Sequence, residues 1–264
     1  MKNEMYDLLD RLKDPMLCDA DVITWGSPVP SFGNLETSKL ATLGLNPSNK
    51  EFVDNYGNEL DGDLRRFHTL SSLGISEWSE IENVHLNSIL DSCTNYFNRN
   101  PYDGWFKRLD YLISGTSMSY YFPSSQACHL DLVPYATASK WTDLTSEQKT
   151  NLLHRTGDLL GILLKNSQVN FLILNGRTVI EHLRKISNAE FQITLMPEWT
   201  LPRKNGNDVE GFAYSGELSN IGGVELSRTI KLLGFNHNIQ SSYGVTTKVQ
   251  TSIRNWISEN VEMT

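Results

Sequence analysis

Apolar positions recur at helical spacing in residues 3–13, where Met5, Leu8, Leu9 and Leu12 mark one face of a short amphipathic helix. Residues 18–37 break that rhythm with Gly26, Pro28, Pro30 and Gly33 and read as irregular. The run LATLGL (40–45) is short, apolar and stopped by Asn46-Pro47-Ser48, which predicts a buried strand running into a loop. Residues 52–122 read as mostly helical and are rich in aromatics, among them Phe67, Trp78, Tyr96, Phe97, Trp105, Phe106 and Tyr111. ACHLDLV (127–133) predicts a second strand, ended by Pro134. A long helix is expected from about Thr145 to Lys165, opened by a Thr145/Gln148 capping box. VNFLILN (169–175) is the clearest strand; Gly176 ends it and a helix over 177–186 follows at once. FQITLM and GFAYSG are weaker strand candidates within 189–218. IKLLGFNHNIQ (230–240) predicts a strand, and TTKVQTSIRNWISENV a closing helix. Strands alternating with helices imply an α/β fold whose mostly parallel sheet is covered on both faces.

In such sheets a ligand sits beyond the carboxyl ends of the strands. That singles out the polar residues at or near those ends: Asn46, Ser48, Asp131, Asn175 and His237.

Composition narrows the classes of function. The 264 residues are 39% hydrophobic and 20% charged, which fits a folded chain and excludes global disorder. No apolar run approaches the roughly 18 residues of a spanning helix. The charged opening MKNEMYDLLDRLKD has no apolar signal core, so a cytoplasmic location is expected. Cys18, Cys93 and Cys128 lie far apart, which excludes a four-cysteine cluster and a disulfide framework. His68, His85, His129, His154 and His182 form no metal-ligand spacing, so neither metal nor cofactor is expected. The net charge of −8 falls entirely on residues 1–170 and argues against a protein that wraps nucleic acid, though not against a small footprint on DNA.

Each strand-end residue has a plain reading beside the chemical one. Asn46-Pro47-Ser48 is an ordinary turn, or else Asn46 is held to orient water. His237 is a structural histidine, or else it stabilises a developing anion. Asp131 in an apolar strand is a structural ion pair, or else it reads a ligand, because burying a carboxylate without a partner is costly.

Taken in order, these pieces resemble the uracil-DNA glycosylase superfamily over residues 40–260. Gly44-Leu45-Asn46-Pro47 is similar to the family's Gly-x-(Asp/Asn)-Pro motif, in the Asn form of its mismatch-specific and single-strand-selective branches. Phe52, Tyr56 and Arg66-Phe67 resemble the segment that supplies a base-stacking aromatic. Asp131 stands where the family carries a base-reading residue, often Asn, and FLILNG (171–176) resembles its next apolar strand. His237-Asn238 with Ser241-Ser242 resembles the final His-Pro-Ser motif, with Asn238 in place of the proline. The 52–126 segment is longer than in compact members, and the cysteines of the iron–sulfur branches are absent.

The resemblance implies one domain over 1–264, three-layered α/β/α, with 52–126 as a helical insertion. It implies a monofunctional DNA glycosylase, which flips a base out of the stack and reads it in a pocket. In that scheme Asn46 positions the attacking water and His237 stabilises the leaving base. Phe52 or Tyr56 stacks on the base, and Ser48 and Asn175 complete its pocket. Ser241 and Ser242 hold a phosphate, and Tyr243 or Val245 fills the gap left in the duplex. Lys50 is a phosphate contact or a solvated charge; no lysine is placed for a Schiff base. DNA, probed as a duplex over a small footprint, is the expected partner, with no membrane and no obligate protein partner. A carboxylate accepts from the N4 amino group of cytosine and repels uracil O4. Asp131 therefore points to a cytosine-type base. Removal of plain cytosine would destroy the host genome, so the pocket must require a modification, such as the glucosylated hydroxymethylcytosine of some phages. The competing expectations are a repair glycosylase for uracil or mismatched thymine with Asp131 structural, a non-catalytic binder of DNA or a nucleotide, and an unrelated α/β hydrolase or transferase.

Overall fold

A computed structural model describes residues 1–99, 103–203, 206–240 and 244–262. Six strands form one sheet: β1 (Leu40–Gly44), β2 (Ala127–Asp131), β3 (Phe171–Asn175), β4 (Glu190–Leu195), β5 (Phe212–Ile221) and β6 (Val224–Phe235), in the order β2-β1-β3-β6-β5-β4. The helices are α1 (Lys2–Arg11), α2 (Pro15–Asp19), α3 (Leu70–Leu73), α4 (Asn83–Thr94), α5 (Tyr96–Arg99), α6 (Asp103–Ile113), α7 (Ser146–Lys165), α8 (Arg177–Ile186) and α9 (Thr247–Glu262).

The pairs β2/β1, β1/β3 and β3/β6 are parallel. The remaining pairs, β6/β5 and β5/β4, are antiparallel. The sheet is thus mixed, with its parallel half carrying the strand ends of interest. The predicted strand over 230–240 starts earlier and ends sooner, at Val224 and Phe235, because it is the second arm of a hairpin. Gly222 and Gly223 make that turn with φ of 58° and 81°, a backbone shape that side chains disfavour and two-residue hairpins require. The first half of β6 alternates in burial as a solvated ribbon does, and its second half is buried throughout.

Alternating side chains divide the sheet's two faces. Ala41, Leu43, Leu172, Leu174 and Leu232 join α1, α7 and α8 in one core. Leu40, Ile173, Leu233 and Phe235 join α6, α9 and the aromatic cluster of Phe32, Phe67, Tyr96, Phe97 and Phe106 in the other. Three layers, α/β/α, follow from this period-2 division. The capping box that opens α7 forms between Thr145 and Gln148 as the sequence predicts. The 52–126 segment is less helical than expected, since much of 52–69 is loop and short turns. It packs against both faces, Trp78, Leu86 and Ile89 in the first core and Phe67, Tyr96, Phe97 and Phe106 in the second, and brings Trp105 and Phe106 of α6 to the carboxyl ends of the parallel strands. Among the described residues no helix is long and apolar enough to cross a membrane.

Candidate functional site

A cavity of about 460 Å³ opens where β1, β2 and β3 end. Its wall includes Asn46, Ser48, Asp131 and Asn175, so four of the residues singled out along the chain meet there.

The parallel register sets Gly44 beside Asp131. A Cβ on Gly44 would run into Asp131 Oδ1 and His129 Nε2, so the glycine of the Gly-Leu-Asn-Pro motif leaves room for the acid on the next strand. Asp131 is 6% exposed, and His129 Nε2 lies 3.4 Å from its Oδ1. His129 Nδ1 lies 2.7 Å from Thr42 Oγ1, which lies 2.5 Å from the Tyr120 hydroxyl. Burial holds the Tyr120 phenol well above its ordinary range, so it stays protonated. A proton on His129 Nε2 would face Asp131 and leave Nδ1 to accept from the Thr42 hydroxyl.

Asn46 is oriented by its neighbours across the strand ends. The Thr137 hydroxyl donates to the Ser139 carbonyl at 2.7 Å and so accepts from Asn46 Nδ2 at 3.0 Å; the Tyr135 carbonyl lies 3.5 Å from the same nitrogen. The amide protons are committed to protein acceptors, which leaves Oδ1 as the acceptor offered to a ligand. Ser48 caps the short turn Asn49–Glu51, its hydroxyl accepting from the Lys50 amide. Asn175 Nδ2 donates to Gln240 Oε1 at 3.2 Å, and Asn175 Oδ1 and Gln240 Nε2 are buried with no partner among the described residues.

Glu51 is the acid that sequence reasoning missed. The turn capped by Ser48 carries it into the cavity wall, where it is buried. Tyr96 donates to its Oε2 at 2.9 Å, and Arg66 Nη1 stands 3.8 Å from the same oxygen. Burial pushes the carboxyl up to about 7; Arg66 and the Tyr96 hydrogen bond pull it down, and the charge of Asp131 pushes it up further. Nothing in Asn49-Lys50-Glu51 marks this acid as internal, because its partners come from residues 66 and 96. His129 did carry a signal: two residues before Asp131 on a strand, it shares that residue's face. Phe32, Trp105 and Phe106 supply an aromatic side to the cavity, and Lys140 and Arg177 bring cations to it.

Several expected residues stand elsewhere. His237 is 3% exposed, and its Nε2 donates to the Trp199 carbonyl at 2.6 Å. Burial lowers its basicity, and its ring is absent from the cavity wall. In that geometry the ring faces the Trp199 carbonyl and not the cavity. Phe52 is buried against Trp25 and Phe67, with ring centroids 6.1 and 5.9 Å away, and cannot stack on a ligand in the cavity. Tyr56 is 91% exposed on a loop outside the cavity wall. Lys50 also lies outside the wall, its ammonium donating to the Asp54 carbonyl at 2.8 Å. Val245 is packed in the second core and is no wedge. Ser241, Ser242 and Tyr243 lie outside the described residues.

Among the described residues no three His, Cys, Asp or Glu side chains gather as a metal site. Comparison with known proteins finds no family model and no curated sequence that matches the chain.

Proposed function

We propose that this chain is a monofunctional DNA glycosylase of the uracil-DNA glycosylase type that hydrolyses the N-glycosyl bond of a modified cytosine. The observation that carries the reading is the presence of Asn46 and Asp131, from the ends of neighbouring strands, in the wall of one cavity with an aromatic side.

The flipped base enters that cavity against Trp105, which is half-buried on α6, with Phe32 and Phe106 beside it. Such stacking is worth about 1–3 kcal/mol per base. Asp131, its Oδ1 3.4 Å from His129 Nε2, accepts from the N4 amino group. A uracil or thymine would set O4 against the same carboxylate and lose binding. Asn46 holds a water through its Oδ1. An amide is no strong base, so the sugar cation is largely formed before the water adds. A cavity of about 460 Å³ exceeds a bare pyrimidine ring and leaves room for a substituent. Glucosylated hydroxymethylcytosine of phage DNA fits the chemistry and spares the host genome, which makes the activity one of antiviral defence.

The test is alkali-revealed strand breakage on duplexes carrying uracil, thymine, hydroxymethylcytosine or its glucosylated form. Breaks on the modified cytosines, lost with Asn46→Ala and shifted toward uracil with Asp131→Asn, are expected. An unchanged base preference in Asp131→Asn would overturn the reader role.

A further inference from the structure

With the His237 ring bonded to the Trp199 carbonyl, no imidazole is available to the departing base at that position. The lack matters most for cytosine. Its anion is a poorer leaving group than that of uracil, because it has no imide to spread the charge. Cytosine leaves readily once N3 carries a proton. The cavity wall holds an acid that the reading above has not used.

Glu51 and Asp131 are both buried and both line the cavity. The groups facing Glu51 are Tyr96 from α5, Arg66 from the loop before α3, and Asp131 from β2. Tyr96 donates to Oε2, and Arg66 approaches that same oxygen, so the proton of the acid form belongs on Oε1. A protonated carboxyl donates where a carboxylate accepts. N3 and N4 of cytosine are neighbours on one edge, the first an acceptor and the second a donor. One neutral and one ionised carboxyl match that edge when the proton sits on Glu51; uracil, which presents N3–H and O4, needs the opposite arrangement, with Glu51 ionised and the proton on Asp131.

We propose that Glu51 is the general acid of this site, giving its proton to N3 of the cytosine-type base while Asp131 accepts from N4. The Glu51 O–H bond breaks as N3–H forms. The C1′–N1 bond breaks, and its electron pair passes into the ring, which leaves as neutral base. Water held by Asn46 adds to C1′, and the proton it loses returns through solvent to the Glu51 carboxylate. The assignment rests on the glycosylase reading. It gains support from the carboxyl's ionisation near neutrality, where a general acid works best.

The experiment is single-turnover base release from a hydroxymethylcytosine or glucosylated duplex, across neutral pH, by wild type, Glu51→Gln and Glu51→Asp. The wild-type rate should fall about tenfold for each pH unit above the ionisation of one group near neutrality. Glu51→Gln keeps a donor for N3 but cannot transfer a proton. It should bind the duplex as wild type does, yet release base at least about 100-fold more slowly and without the pH dependence. Glu51→Asp should retain the pH-dependent fall at a reduced rate. A wild-type rate that is flat across this range, or a Glu51→Gln rate within a few-fold of wild type, overturns the general-acid role and leaves the glycosylase standing. Release of no base from any duplex overturns both.

Discussion

At the scale of single residues, the strand-end argument places Asn46, Ser48, Asp131 and Asn175 together, because a parallel sheet delivers such positions to one edge whatever the side chains are. It misplaces His237 because one torsion decides whether a ring faces a cavity or a carbonyl, and the acceptor, Trp199, is 38 residues away. His237→Phe should therefore leave base release unchanged and destabilise the fold by about 1–3 kcal/mol, the cost of an unpaired buried carbonyl, as read by chemical unfolding. A large loss of rate at unchanged stability would restore the histidine to the chemistry. Glu51 makes the complementary prediction about pH. Its carboxyl titrates at about 7 in the fold against an ordinary 4.5, so folding favours the protonated acid. Stability is greatest below the unfolded value, falls as pH rises from about 4.5 to about 7, and is level above. The loss is about 3 kcal/mol at full burial. Glu51→Gln should lack this decline, which paired denaturation curves at acid and neutral pH will register. Parallel pH profiles of the two proteins would contradict the assignment of that ionisation to Glu51.

At the scale of elements, hydrophobic period and capping signals locate β1, β2, β3 and the helices α7, α8 and α9 to within a few residues, while β6 starts and ends earlier than the apolar run 230–240 predicts. Those are the long or strongly patterned elements, whose burial is written into their own sequence. The Gly222-Gly223 pair marks the hairpin of β5 and β6, a local signal weaker than the apolar run that follows it. The 52–126 segment was not legible in detail, since its short helices are held by contacts with the sheet face rather than by propensity. Its contribution to the site is α6, which carries Trp105 and Phe106 to the cavity while Phe52 stays in the core. Trp105→Ala should weaken binding of a duplex with a flipped modified base by about 1–3 kcal/mol. Phe52→Leu should instead lower thermal stability with little effect on binding. Titration of a fluorescent duplex against each variant separates the two; equal losses in both would place the stacking face elsewhere.

For the whole molecule, the α/β class and the three-layer arrangement follow from the alternation of strand and helix along the chain. The proposed chemistry depends on side chains brought from positions as far apart as Phe32 and Asn175 to a single edge, which no local window contains. The net charge of −8 goes with a cavity wall whose cations are Lys140 and Arg177, the latter paired with Glu181 at 2.7 Å. That balance suits recognition of one extruded nucleotide better than coverage of a long duplex. The central claim is that this edge hydrolyses a modified cytosine from DNA through Asn46 and Asp131. Mass-spectrometric identification of the base set free from duplexes differing only at one nucleotide tests it most directly. The account predicts hydroxymethylcytosine or its glucosylated form in the supernatant, with an equal yield of abasic sites and neither product from Asn46→Ala. Free uracil or thymine with no modified cytosine, or no free base at all, would contradict it.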